Sequence, residues 1–333
     1  MKKNFLTFLI LFIFFLMLAL PSVTKNAANE GLRLWIFTVM PALLPYTIIS
    51  SILLQLNAFS LPCRLIGKIF KCRLPENKIF IIICGCLCGC PIGAKVTADS
   101  YKNGQIDKST AEFLMCVCNN LSPSFLINYV FVEVYAPFVQ LTAGKKWILF
   151  IIMISSSFIG ALITHKLFFK SNHKNSASSA TDKPAPMTTL NRSCLATMIK
   201  QKKPAISKLL EDCILSAFEI QAKIGGYIIL FTIITNLFLH TLYLSDIQAA
   251  FFGSILEVTS GLGLFLSCNK DTSPLLQSLV PSLITALTTF GGICTIFQTR
   301  TAVSGSGLSI RKYSVAKFIS GIISFILAYI CFC

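Results

Sequence analysis

Apolar residues gather along this chain into blocks of about 20, each long enough as a helix to cross a hydrocarbon layer of about 30 Å. The blocks run Phe5–Leu20, Leu32–Leu56, Ala111–Val134, Trp147–Phe169, Leu210–His240, Leu275–Gln298 and Tyr313–Cys333. Two further apolar stretches are too short and too broken to span. Ile79–Gly93 reads IFIIICGCLCGCPIG, and as a straight helix would reach only about 22 Å. Ala249–Ser267 is interrupted at Glu257–Gly263. Irregular backbone at membrane depth is tolerated only inside protein or beside a water-filled cavity. Both stretches therefore read as re-entrant hairpins. The pattern predicts an all-α polytopic membrane protein with about seven spanning helices, one per long block, and two re-entrant hairpins.

Charge orients this plan. Over 333 residues, 54% are hydrophobic and 13% charged, and mean hydropathy is +0.74. Soluble domains carry about 25% charged residues, so a cytosolic enzyme, a disulfide-built secreted domain and a DNA-binding module are excluded. The 29 Lys and Arg against 13 Asp and Glu fall between the apolar blocks, as cytoplasmic loops of membrane proteins require. A nucleic-acid footprint would be one continuous basic face; no nucleic-acid partner is expected. Lys2 and Lys3 hold the start of the chain in the cytosol, and residues 1–24 read as a retained anchor rather than a cleaved signal peptide. The basic stretch Cys63–Lys78 and the Ser-, Asn- and Lys-rich linker 170–208, with its single acid Asp182, are both cytoplasmic. Arg300, Arg311, Lys312 and Lys317 mark a further cytosolic stretch. Passing from Lys78 to Lys170, cytosol to cytosol, takes an even number of crossings. The count closes only if Ile79–Gly93 is a hairpin.

Two like halves follow, 31–169 and 209–333, each reading span, hairpin, span with a polar break, span. Opposite orientation of the two makes an inverted repeat, a plan shared by many secondary transporters. Pro45–Leu53 matches Gly226–Ile234 in this register, while Gly89–Gly104 against Gly292–Gly307 offers a competing one.

In such folds solutes bind near the midplane, between broken helices and hairpin tips. The breaks supply Lys95, Asn119, Asn120, Ser122, Ser124, Thr259, Ser260, Thr288 and Thr289 as candidate solute ligands, and Glu257 as the candidate group for a coupling ion or proton. Gly89, Pro91, Gly93, Pro123, Gly291 and Gly292 free the backbone there. Each polar residue also has a plainer role as a helix cap or interhelical contact. The 14 cysteines lie mostly inside apolar blocks and read as small packing residues. The run Cys84, Cys86, Cys88, Cys90 spreads its thiols around a helix axis, and no histidine is near, so no metal site is expected. No nucleophile–base pair, P-loop or dinucleotide fingerprint occurs. The chain reads as a non-enzyme without cofactor, with the bilayer, a small solute and a coupling ion as its partners, and self-association compatible with that.

The stretches Gly31–Leu53 (GLRLWIFTVMPALLPYTIISSIL), Gly89–Leu126 (GCPIGAKVTADSYKNGQIDKSTAEFLMCVCNNLSPSFL) and Thr288–Ser309 (TTFGGICTIFQTRTAVSGSGLS) resemble the sporulation integral membrane protein YlbJ family, also called SpoVV. That family carries nucleoside-recognition (Gate) domains, which are similar to the cores of concentrative nucleoside transporters. The resemblance implies two Gate-like repeats, 31–169 and 209–333, and an inverted repeat with two re-entrant hairpins. It also implies a role in sporulation, moving dipicolinic acid from the mother-cell cytosol across the outer forespore membrane. Gate domains also occur in ferrous-iron transporters, so a metal-ion or nucleoside permease is the alternative, followed by a non-transporting membrane scaffold of the spore.

Overall fold

The computed structural model describes residues 2–56, 76–175, 206–242, 244–268 and 274–332. The described secondary structure is helical throughout. Most of the basic stretch Cys63–Lys78, residues 176–205 of the linker, and Cys333 lie outside the described residues.

Helix α1 is Lys2–Ala19, with its apolar run at Thr7–Ala19. Helix α2 (Pro21–Arg33) passes through a π-helical stretch, Leu34–Val39, into α3 (Met40–Gln55), and the whole counts as one candidate span, Pro21–Leu53. The span thus starts earlier than Leu32. Pro21 sits at the helix start, where its missing N–H costs nothing, and α3 continues through Pro45 without stopping.

The first hairpin is α4 (Glu76–Cys88) and α5 (Ile92–Lys102), joined at Gly89-Cys90-Pro91. Its second arm runs on to Lys102, through sequence whose polarity suggested that the membrane segment had ended. That arm buries Ile92, Gly93, Ala94, Val96, Thr97, Ala98 and Ser100, so Thr97 and Ser100 face protein, while Lys95, Asp99 and Lys102 are exposed. Next comes an interrupted helix: α6 (Lys108–Cys118), a break at 119–122, the single turn α7 (Pro123–Phe125) and a π-helical stretch, Leu126–Val134. Asp107 caps α6 by accepting from the Thr110 N–H at 3.0 Å. That bond and the one from the Thr110 hydroxyl hold its carboxyl below the usual range. Helix α8 (Ala143–Asn175) completes the half, running past Lys170 into the segment expected to be linker.

The second half has the same order. Helix α9 (Ile206–His240) is a long span. The second hairpin is α10 (Asp246–Leu256) and α11 (Val258–Leu264), joined at Glu257. The second interrupted helix is α12 (Pro274–Phe290) and α13 (Gly292–Ala302), broken at Gly291. Helix α14 (Ile310–Phe332) is last. Six helices among the described residues are long and apolar enough to cross a membrane: Pro21–Leu53, Lys108–Val134, Ala143–Phe168, Ile206–His240, Leu279–Ala302 and Ile310–Phe332. This is an all-α polytopic membrane protein.

The halves interlock. The first hairpin and α6 share an apolar cluster with Val303, Leu308, Tyr313 and Ala316 of the second half. The second hairpin shares its cluster with Phe125, Tyr129, Val130 and Tyr135 of the first. Each hairpin therefore packs against the other half, which brings both tips and both breaks together.

Candidate functional site at the junction of the broken helices

The first hairpin closes tightly onto the first break. A Cβ at Gly89, whose φ is +74°, would lie 2.7 Å from the Ser122 nitrogen, and one at Gly93 would lie 2.8 Å from the Cys118 carbonyl oxygen. Only glycine permits that approach and that φ together. The Cys90 N–H donates to the Asn120 carbonyl at 2.6 Å, giving one freed backbone oxygen a partner.

Asn119 is fully buried. Its Oδ1 accepts from the Ala94 N–H at 3.2 Å, and its Nδ2 donates to Thr299 Oγ1 at 2.8 Å and Tyr313 Oη at 2.9 Å. One side chain thus ties the first hairpin to α13 and α14. Asn120 turns another way: its Nδ2 donates to the Val117 carbonyl at 2.8 Å, and its Oδ1 accepts from Ser157 Oγ at 2.8 Å and Lys317 Nζ at 2.5 Å. Ser122 Oγ accepts from the Phe125 N–H at 3.2 Å, capping the turn that Pro123 begins. Ser124 accepts from Asn128 Nδ2 at 3.2 Å.

The second tip is built differently. Glu257 is 1% exposed, and its carboxylate caps α11 by accepting from the Thr259 N–H at 3.0 Å and the Ser260 N–H at 2.6 Å. The Thr259 carbonyl accepts from Tyr129 Oη at 2.9 Å, and the Ser260 side chain is buried beside Glu257. Gly291 and Gly292 have φ of +83° and +78°. A Cβ at Gly292 would lie 3.1 Å from both the Ser254 carbonyl oxygen and the Val258 nitrogen, so this break packs on the second hairpin. The close contacts join each break to the hairpin of its own half. Thr288 and Thr289 return their hydroxyls to the carbonyls of Ile284 and Thr285.

Two small cavities flank the first break, and Leu121 lines both. One, of about 40 Å³, gathers Cys90, Ser122, Glu257, Thr259, Thr295 and Gln298, so both tips and both interrupted helices contribute. The other, of about 30 Å³, is lined by Asn120, Ser157, Thr288 and Thr289. Lys95 is outside both. It is exposed and lines a pocket of about 150 Å³ with Lys223, Tyr227 and Gln298; Gln298 also lines the 40 Å³ cavity and so lies between the two.

Four participants escaped sequence reading: Thr295, Gln298, Thr299 and Lys317. The first three recur at helical spacing on one face of α13, a signal masked by the neighbouring glycine pair. Lys317 was assigned to the cytosolic stretch by its charge. It is instead 3% exposed within α14, on a buried stripe with Tyr313, Ser320 and Ser324. Its position inside the apolar block Tyr313–Cys333 was the available clue. Cys86, Cys88 and Cys90 are free thiols. No group of three or more His, Cys, Asp or Glu converges as metal ligands among the described residues.

No family profile matches the chain, and no solved structure matches it. Among characterised proteins it is similar to the sporulation integral membrane protein YlbJ of Bacillus subtilis, with 24% identity over 329 residues, covering 91% of this chain and 76% of that one. That likeness extends over most of the chain, and the relative is by its description an integral membrane protein.

Proposed function

We propose that the protein is a sporulation-associated secondary transporter, not an enzyme, which moves a small anionic solute outward from the cytosol. Dipicolinic acid is the solute that fits best, and the outer forespore membrane is the site of action. The membrane setting and the link to sporulation follow the YlbJ relative. The observation that carries the transport reading is the convergence of four interrupted segments on one small, largely apolar cavity, into which Cys90, Ser122, Glu257, Thr259, Thr295 and Gln298 bring polar groups. A membrane scaffold has no use for such a junction, since every broken helix frees backbone groups that must be satisfied again. Dipicolinate is a planar dianion, suited to amide and hydroxyl donors and to the N-terminal ends of half-helices.

The repeated order of span, hairpin, interrupted helix and span supports an inverted repeat, in which the halves rock about the junction to expose it alternately. The cavity, of about 40 Å³, is far below the roughly 300–1,000 Å³ of a pocket that holds a small molecule. The described conformation is therefore closed on the site, and the solute enters only after the halves move. Glu257, the acid at the second tip, is the group through which an ion or proton would be coupled.

Uptake of labelled dipicolinate into proteoliposomes of the purified protein tests this reading. Accumulation above protein-free vesicles is expected. Loss of one hydrogen bond to a charged solute group is worth about 1.5–3 kcal/mol, so Gln298→Ala, in the cavity lining, should lower uptake roughly tenfold to a hundredfold at unchanged membrane level. No uptake of dipicolinate would overturn the assignment, and uptake of ferrous ion or a nucleoside in its place would establish the permease alternative.

A further inference from the structure

Lys317 is a buried lysine whose partners among the described residues are all neutral groups. It is 3% exposed within Ile310–Phe332, and its hydrogen bond goes to Asn120 Oδ1 at 2.5 Å. The Tyr313 ring centroid lies 5.8 Å from its Nζ, and the titratable groups around it are the thiols of Cys86, Cys90, Cys116 and Cys118. Among the described residues the recorded ion pairs are Lys223–Glu219 and Lys312–Glu112; neither involves Lys317. The buried acids nearby are committed elsewhere. Glu257 accepts from the Thr259 and Ser260 N–H groups, and Glu112 from Lys312 Nζ and the Ser309 N–H.

An ammonium at membrane depth is expensive without a compensating charge, and ionisable residues inside spans mark solute or ion pathways by default. A neutral amide oxygen compensates only in part, and it is a partner that an incoming carboxylate outcompetes. That oxygen is well placed to be exchanged. Asn120 and its other donor, Ser157, both line the 30 Å³ cavity, together with Thr288 and Thr289. Sequence separation adds to the argument. Asn120 belongs to the first break and Lys317 to the last span, so the bond joins the two halves that must move apart for the site to open.

We propose that Lys317 is the counter-charge for the carboxylate of a small anionic aromatic solute, held by Asn120 in the closed conformation and handed to the solute as the site opens. This rests on the transport reading above and assigns the recognition of charge within it. The proposal predicts selectivity: planar carboxylates bind, and an uncharged ring of the same size does not.

The test uses the purified full-length protein with two readouts, thermal stabilisation in detergent and uptake by proteoliposomes, with dipicolinate as probe and pyridine as the uncharged control. Dipicolinate should stabilise the wild type and pyridine should not. Lys317→Gln, which keeps an N–H donor without the charge, should weaken dipicolinate binding at least tenfold, while Lys317→Arg retains part of it. Asn120→Asp guards against misfolding. It sets a carboxylate beside Lys317 without removing any side chain from the core, and should keep the fold while abolishing the response to dipicolinate. If Lys317→Gln or Asn120→Asp binds and carries dipicolinate as the wild type does, the proposal fails and the transport reading stands. If the wild type binds in a Lys317-dependent way without carrying the solute, transport fails and the anion site stands. Neither binding nor uptake by the wild type overturns both.

Discussion

The two hairpin tips solve one problem with different chemistry. At the first, side-chain amides do the work: Asn119 reaches Thr299 and Tyr313, and Asn120 reaches Ser157 and Lys317, so the break is tied to α8, α13 and α14. At the second, the chain mostly satisfies itself, with one bond, from Tyr129 Oη to the Thr259 carbonyl, crossing from the other half. Glu257 caps its own helix, and Gly292 lets the second interrupted helix pack directly against the tip. A break held by side chains across the half-to-half boundary is remade whenever the halves move. A break held by its own backbone travels with its half as a unit. The first tip therefore suits a changing contact with solute, and the second suits a rigid element that carries a buried carboxylate.

Substitutions can break this comparison, and the largest effect should come from the glycines. Gly89→Val and Gly292→Val each force a β-branched residue into positive φ and against a neighbouring backbone. The backbone conformation alone costs about 1–3 kcal/mol, so both variants should lose folded protein in thermal unfolding followed in detergent. Equal losses would show that both tips depend on close backbone approach.

Next in size is Asn119→Ala, which leaves the Ala94 N–H and Tyr313 Oη without their amide partner. An orphaned buried group costs about 1–3 kcal/mol. Because the bonds cross between halves, a double-mutant cycle of Asn119→Ala with Tyr313→Phe should show coupling of at least 0.5 kcal/mol. Additive behaviour would mean that the first tip is as self-contained as the second.

Glu257→Gln should cost about 1 kcal/mol, the scale of a weakened N-cap, because an amide offers one acceptor where the carboxylate offers two. Its effect should be additive with Asn119→Ala, in contrast to the cycle above. The smallest change is expected at Lys102, which is exposed and donates to the Ser304 carbonyl at 3.1 Å. Lys102→Ala should stay within about 0.5 kcal/mol of the wild type, and a larger loss would place an unrecognised half-to-half contact there.

Much of the architecture was legible from the chain alone. Glycine and proline at 85–93 and the polar run at 119–123 marked the first hairpin and the first break, because interruption of a helix is a local event set by local residues. Helix ends were less legible. The second arm of the first hairpin, Ile92–Lys102, carries Lys95, Thr97, Asp99 and Ser100, and nothing local told a polar helix packed in protein from a loop. Site residues were legible as types and not as partners. Ser122, Glu257 and Thr259 do share a cavity, while Lys95 stands outside it and Lys317 was assigned to the wrong environment.

By itself the sequence determined the apolar helices, the two hairpins and the places where helices break, since burial in hydrocarbon and backbone satisfaction act over spans of about 20 residues. Only the tertiary structure decided which polar groups meet. Asn119 and Thr299 stand 180 residues apart, and Asn120 and Lys317 stand 197 apart. A buried donor must find an acceptor, but the packing of helices chooses which one.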